Sequence, residues 1–199
     1  RVMEAFMYRF HPQWAYVMDQ LHAGVIGRVN HVNAMFSYFN DDPNNVRNQA
    51  TIGGGALLDI GCYCVDVSKM IFGGHPTSVQ SHVEYDPVFE TDRLTTGLLA
   101  YDKGTASVVC ATQTYGFQQV CIHGTEGRIE VDIPFNSKSD EDPRKIRIIG
   151  DEGMEEFIFE GHNAYALMAQ AMQDALEQGT ELPISLEDSK DTLGVMDAL

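Results

Sequence analysis

Asp59, Tyr63 and Asp66 follow three consecutive glycines, Gly53, Gly54 and Gly55, in the stretch GGGALLDIGCYCVD at 53–66. On a helix from Ala56 to Phe72 these side chains, at i, i+4 and i+7, form one line facing a common cleft. Leu57, Ile60, Cys64, Val67 and Ile71 form an apolar stripe about a third of a turn away. A carboxylate beside a phenol can hold a hydroxyl or carbonyl group and relay a proton, provided a cation lowers the phenol's pKa toward working pH. Spacing does not fix that cation: Lys69 lies on another part of the helix and Arg47 in the preceding loop. Gly54 and Gly55 permit close backbone approach to a ligand at a helix start. With Arg47 nearby, that start suits a cofactor phosphate or an anionic substrate group. Spacing alone equally fits a flexible helix entry, an early-helix acid and a half-buried aromatic.

The elements that must position these groups follow from periodicity. Residues 12–22 place Trp14, Val17, Met18 and Leu21 on one helical face, with Gly24 as a stop. The branched and aromatic run 29–39 reads as a strand, and the polar stretch 41–55 as a long loop leading into the glycine-started helix. From Thr77 to about Phe159 strands dominate. Residues 79–85 and 128–133 alternate, YDKG (101–104) and GTEG (124–127) read as turns, and NSKSDEDPR (136–144), with its acidic run at 140–142, reads as an exposed loop. A helix from Asn163 to Gln178, with Leu167, Ala171 and Leu176 apolar and Gly179 as a stop, precedes a last helix capped by Ser185. That helix carries Leu186, Leu193 and Met196. Helices first, about six strands next and helices last predict an α+β fold, an open, mainly antiparallel sheet with helices packed on one face.

Composition narrows the function. The 199 residues, 44% hydrophobic, suffice for one domain with a sizeable core. Thirteen basic against 29 acidic residues give a formal charge of −16, which argues against nucleic-acid binding. The cysteines Cys62, Cys64, Cys110 and Cys121 lack framework spacing, and Cys62 and Cys64 point apart as buried thiols. Reduced thiols in a cytoplasmic protein are the reading. No apolar run approaches the roughly 18 residues that span a bilayer, so no membrane partner is expected. The seven histidines show neither H-x-x-x-H nor H-E-x-x-H, and no metal site is expected.

GGGALLDIGCYCVD, together with EAFMYRFHPQ at 4–13, GVIGRV at 24–29, HGTEGRIEVDIPF at 123–135 and the closing LPISLEDSKDTLGVMDAL at 182–199, resembles the C-terminal domain of the Gfo/Idh/MocA family of nicotinamide-dependent sugar and polyol oxidoreductases. A tyrosine four residues after the helix Asp resembles the glucose-fructose oxidoreductase, dihydrodiol dehydrogenase and xylose dehydrogenase branches. The resemblance implies a glyceraldehyde-3-phosphate dehydrogenase-like C-terminal fold, with Tyr63 as proton donor or acceptor and Asp59 as a substrate-positioning carboxylate. It also makes Arg9 a candidate for the pocket edge, as a sugar-hydroxyl ligand or a surface ion pair. Asn163 and Tyr165, which open the late helix, are candidates for substrate contact or for capping and packing, and Arg47, Gly54 and Gly55 for cofactor contact. NADP or NAD would be the cofactor of the intact enzyme, and a sugar or polyol-like molecule its substrate.

G-x-G-x-x-G and the family's Glu-Lys-Pro segment with its catalytic lysine are not in this sequence. The expectation is therefore a substrate-binding and oligomerisation domain without its Rossmann partner, inactive and cofactor-free alone. The alternative is a stand-alone sugar-binding or dimerisation module. An uncovered sheet face predicts a homodimer or higher homo-oligomer. Size-exclusion chromatography with light scattering at high micromolar concentration should return at least a dimer mass, and a monomer there would exclude it.

Overall fold

The computed structural model describes residues 1–136 and 142–199, so the middle of the expected loop at 136–144 lies outside the described residues. In chain order the elements are α1 (Pro12–His22), β1 (Val29–Phe39), α2 (Cys62–Phe72), β2 (Ser78–Tyr85), β3 (Asp92–Tyr101), β4 (Gly104–Ala111), β5 (Gln113–Gly124), β6 (Gly127–Val131), β7 (Arg144–Gly150), β8 (Gly153–Phe159), α3 (Ala164–Gln178) and α4 (Leu186–Met196). The fold is α+β. Among the described residues eight strands, rather than about six, hydrogen-bond in the order β2-β3-β4-β1-β5-β6-β7-β8. The sheet is mixed: β2–β3, β3–β4, β6–β7 and β7–β8 are antiparallel, whereas β1 and β4 run parallel. A parallel neighbour needs a long crossover, here α2, β2 and β3, and alternation within a strand carries no information about that. The chain divides into two compact units, residues 30–121 with 192–199, and residues 1–29 with 122–191.

In the first unit α2 lies on β4, with Cys64 Sγ 3.7 Å from the Val109 carbonyl. Val65 and Val67 are fully buried, each worth roughly 1.5–3 kcal/mol. Burial of Cys64 pushes its thiol pKa well up, whereas Cys62 is only half-buried. The Phe72 ring stacks on Tyr101 at 4.8 Å. The YDKG turn joins β3 to β4, pairing Tyr101 with Gly104.

The expected regular helix from Ala56 is instead a π-turn, Leu57–Gly61, running into α2; the Cys62 amide reaches back to the Leu57 carbonyl. Gly61 allows this turn to sit tight on the sheet, because a Cβ there would lie 2.8 Å from Cys110 Sγ. One segment, Ala50–Phe72, is long and apolar enough by composition to cross a membrane, with mean hydropathy 1.3, contrary to the sequence reading. It is this unit's core helix with its entry turns: Cys64 to Lys69 are all buried within the protein.

In the second unit His11 caps α1 through Nδ1, which accepts from the Gln13 amide at 3.2 Å, and Pro12 takes the first helical position. Trp14 and Val17 are buried as expected, and Trp14 Nε1 donates to the Pro134 carbonyl at 2.7 Å. Tyr8 stands edge-on between Trp14 and Phe135, at centroid distances of 5.6 and 5.4 Å. Each such pair adds about 0.5–1.5 kcal/mol beyond area burial. In β6 Ile129 and Val131 point inward, and β7 presents Ile146 and Ile148 on its buried side. Arg144, grouped by sequence with the polar loop, instead opens β7, buried, and donates to the Ile133 carbonyl at 2.9 Å. Asn163 and Gly179 bound α3 and Ser185 caps α4, its hydroxyl accepting from the Asp188 amide at 3.0 Å. Leu176 and Leu186 are exposed, whereas Ala164 and Ala175 take the buried positions; the end of α4 belongs to the first unit, where Leu193 is exposed and Val195 and Met196 are buried.

His11 is 1% exposed. Burial first, and then the Arg144 and His162 charges, lower its pKa from 6.5 to about 4. A depressed folded pKa means stability is whole above the unfolded value and is lost as pH falls through the 6.5-to-4 window. His11→Asn keeps a cap acceptor and removes the titration, so urea unfolding of that variant should show a flatter stability profile across this window. An unchanged slope would clear His11.

Candidate functional site

The site grows from a loop that builds itself. Residues 40–48 are rich in Asn and Asp, and the short side chains of Asn40, Asp42, Asn45 and Asn48 satisfy nearby backbone groups. Asp42 Oδ1 accepts from the Asn44 amide at 2.9 Å, Asn45 Oδ1 from the Arg47 amide at 3.0 Å, and buried Asn48 donates to the Asp42 carbonyl at 2.9 Å. These turns present Arg47, whose Nε donates to Asp59 Oδ1 at 2.7 Å. On the other carboxylate oxygen, Tyr38 at the end of β1 donates its hydroxyl to Asp59 Oδ2 at 2.5 Å. Strand, loop and π-turn thus meet on one carboxylate.

The energetics assign this cluster to orientation. Arg47 is 45% exposed, and an ion pair so open to water contributes about 1 kcal/mol or less. The Tyr38 bond, a short O–H···O⁻ contact, is the stronger one. Burial first, then the hydrogen bond to Asp59 and its charge, raise the Tyr38 pKa, and Asp59 likewise raises that of Arg47. Both partners therefore remain donors, and each Asp59 oxygen they reach has a lone pair left for a substrate hydroxyl. Tyr63, half-buried at the start of α2, stands edge-on to Phe36 of β1 at 5.9 Å. The geometry supplies an oriented acceptor with a second phenol, Tyr63, four residues further along the chain.

Of the residues singled out from sequence, Asp59, Tyr63, Arg47, Gly54 and Gly55 fall in the first unit. Asp66 does not join a cleft: it is fully buried where α2 enters the core. Lys69 is buried too and donates to Thr192 Oγ1 at 2.9 Å. The glycines are filled by protein. A Cβ on Gly54 would lie 2.6 Å from the Arg47 carbonyl oxygen, and one on Gly55, at φ +125, would overlap Asp92. Arg9, Asn163 and Tyr165 belong to the second unit. Arg9 pairs with Asp188 at 2.8 Å, Asn163 caps α3 by accepting from the Ala166 amide at 2.8 Å, and Tyr165 is exposed. Tyr38 escaped the sequence reading. Its signal was the strand period, which puts it on the same face as Phe36.

A sequence profile described as the GFO/IDH/MocA C-terminal domain matches residues 14–130. An uncharacterized oxidoreductase of Rhizobium meliloti is 36% identical, the alignment covering 100% of this chain and 61% of that protein. D-xylose 1-dehydrogenase (NADP(+)) 2 of Haloferax volcanii is 30% identical over 100% and 61%. The chain therefore spans about 61% of the length of these curated relatives. The crystal structure of KijD10, a 3-ketoreductase from Actinomadura kijaniata, in complex with NADP and TDP-benzene, superposes with a TM-score of 0.85 at 25% identity, covering 100% of this chain and 61% of that one.

Tyr38 should remain protonated well above the ordinary phenol value of 10.0. In ¹³C-tyrosine NMR, Asp59→Asn should bring its titration down toward that value, because the acceptor's charge is gone. An unmoved midpoint would show that Asp59 does not hold Tyr38.

Proposed function

The chain belongs to the GFO/IDH/MocA family, and on that premise we propose that it is the substrate-side domain of an NAD(P)-dependent oxidoreductase acting on a CH–OH carbon of a sugar or related cyclic hydroxy compound. The observation that carries this reading is the Asp59 carboxylate, gripped by Tyr38 and Arg47 one turn before Tyr63. A substrate hydroxyl donates to a remaining Asp59 lone pair, which fixes the sugar ring, and Tyr63 Oη takes or returns the proton of the reacting oxygen. Tyr38 does not serve as the shuttle, because its proton is committed to Asp59.

A nicotinamide cofactor supplies hydride exchange when the whole protein binds it. The amides of the glycines suggested for its phosphates are engaged within the loop, Gly54 donating to the Gln49 carbonyl at 3.0 Å and Gly55 to the Arg47 carbonyl at 2.8 Å. This chain's role is accordingly proposed to be substrate orientation and proton movement, and the chain alone is proposed to be inactive. The curated relatives support the oxidoreductase class, and the xylose dehydrogenase supports a sugar as substrate.

In the whole enzyme Tyr63→Phe should lower kcat by about 10²-fold or more, the scale of general acid–base loss, with KM little changed. Unchanged turnover would remove Tyr63 from the mechanism. Calorimetry of the chain alone with a panel of sugars would favour the stand-alone binding module if it detects tight saccharide binding.

A further inference from the structure

Gly55 joins the parts of the site. Its amide donates to the Arg47 carbonyl at 2.8 Å, and its own carbonyl accepts from the Asp59 amide at 3.3 Å. The two residues whose side chains form the ion pair are thus both tied to one glycine through the backbone. Across that glycine, from the first residue of β3, reaches Asp92. Its Oδ2 accepts from the Leu57 amide at 2.7 Å and from Thr95 Oγ1 at 3.0 Å. The approach is possible only over glycine, since any Cβ at residue 55 would collide with Asp92 Oδ1. The Leu57 amide opens the helical segment, where an acceptor of negative charge is favoured.

We propose that Asp92 is a positioning residue of the site: by pinning the backbone at 55–57 it fixes Arg47 and Asp59 relative to each other, and Tyr63 through the turn that follows. This rests on the functional reading above, in which that cluster orients substrate. Asp92 touches neither Asp59 nor Arg47 by side chain, so its effect passes through Gly55. Loss of the carboxylate releases the Leu57 amide and the Thr95 hydroxyl at once and lets the π-turn drift from the Asn/Asp loop. A cap that served only helix stability would leave the Arg47–Asp59 geometry alone.

The test uses the 199-residue chain. Asp92→Asn is isosteric and keeps one acceptor oxygen; Asp92→Ala removes both. In ¹H–¹⁵N NMR, Asp92→Ala should speed solvent exchange of the Arg47 Nε–H by about tenfold or more, the scale of a lost charge-assisted hydrogen bond. Asp92→Asn should fall between that variant and wild type. The indole N–H of Trp14, in the other unit, should stay as it was and report an intact fold. If Asp92→Ala does not fold, Asp92→Asn decides: a shifted Leu57 amide with unchanged Arg47 Nε–H exchange overturns the proposal and leaves a plain cap. In the whole enzyme Asp92→Asn should lower kcat more than it raises KM. Loosened Arg47 with unaltered kcat would leave the positioning intact and instead sink the functional reading.

Discussion

A carboxylate that accepts an O–H from a strand and an N–H from a loop holds three stretches of chain in one place, and Asp59 does this for the first unit. The constraint is geometric more than energetic. Its ion pair is too open to water to add much stability, and its hydroxyl partner is one bond among many. What it adds is direction. Tyr38 and Arg47 approach different oxygens, so the acceptor lobes left over point in defined directions rather than sweeping with the rotamer.

That arrangement needs a stiff frame behind it, and the chain supplies one from two sides. Buried α2, seated against β4, gives the helix no freedom to roll once Val65 and Val67 are covered. The loop ahead of it uses Asn and Asp side chains as substitutes for secondary structure, which makes a polar, irregular segment rigid without a core of its own. In the other unit rigidity comes from aromatic packing about Tyr8 and from capping by His11, Asn163 and Ser185.

Much of this was legible in the residues. The helix at 12–22 and the strand at 29–39 appear with the bounds that periodicity gives them, because burial there follows one regular period. The Asp–Tyr spacing was legible as well, and the roles proposed for Asp59 and Tyr63 rest on family resemblance. Other features were not. The β1–β4 parallel pairing depends on where the chain returns after a crossover, which no local pattern records. Asp66 looked like a third member of the polar line because periodicity cannot say that a helix is covered on all sides. Tyr38 looked like one more aromatic in a strand, since its partner lies in a different element. Leu176 and Leu193 show the reverse case, apolar residues at helical spacing that face outward.

The turn at Leu57–Gly61 holds one residue more than an α-helix would place there. Deleting a single position within it would restore ordinary winding and take Asp59, which lies inside the turn, out of its present direction toward Tyr38 and Arg47. Chain length between Gly55 and Tyr63 is therefore as constrained as residue type. Among descendants of this sequence, insertions and deletions belong in the hairpin connections of the sheet and not in that nine-residue interval, where the count itself carries information.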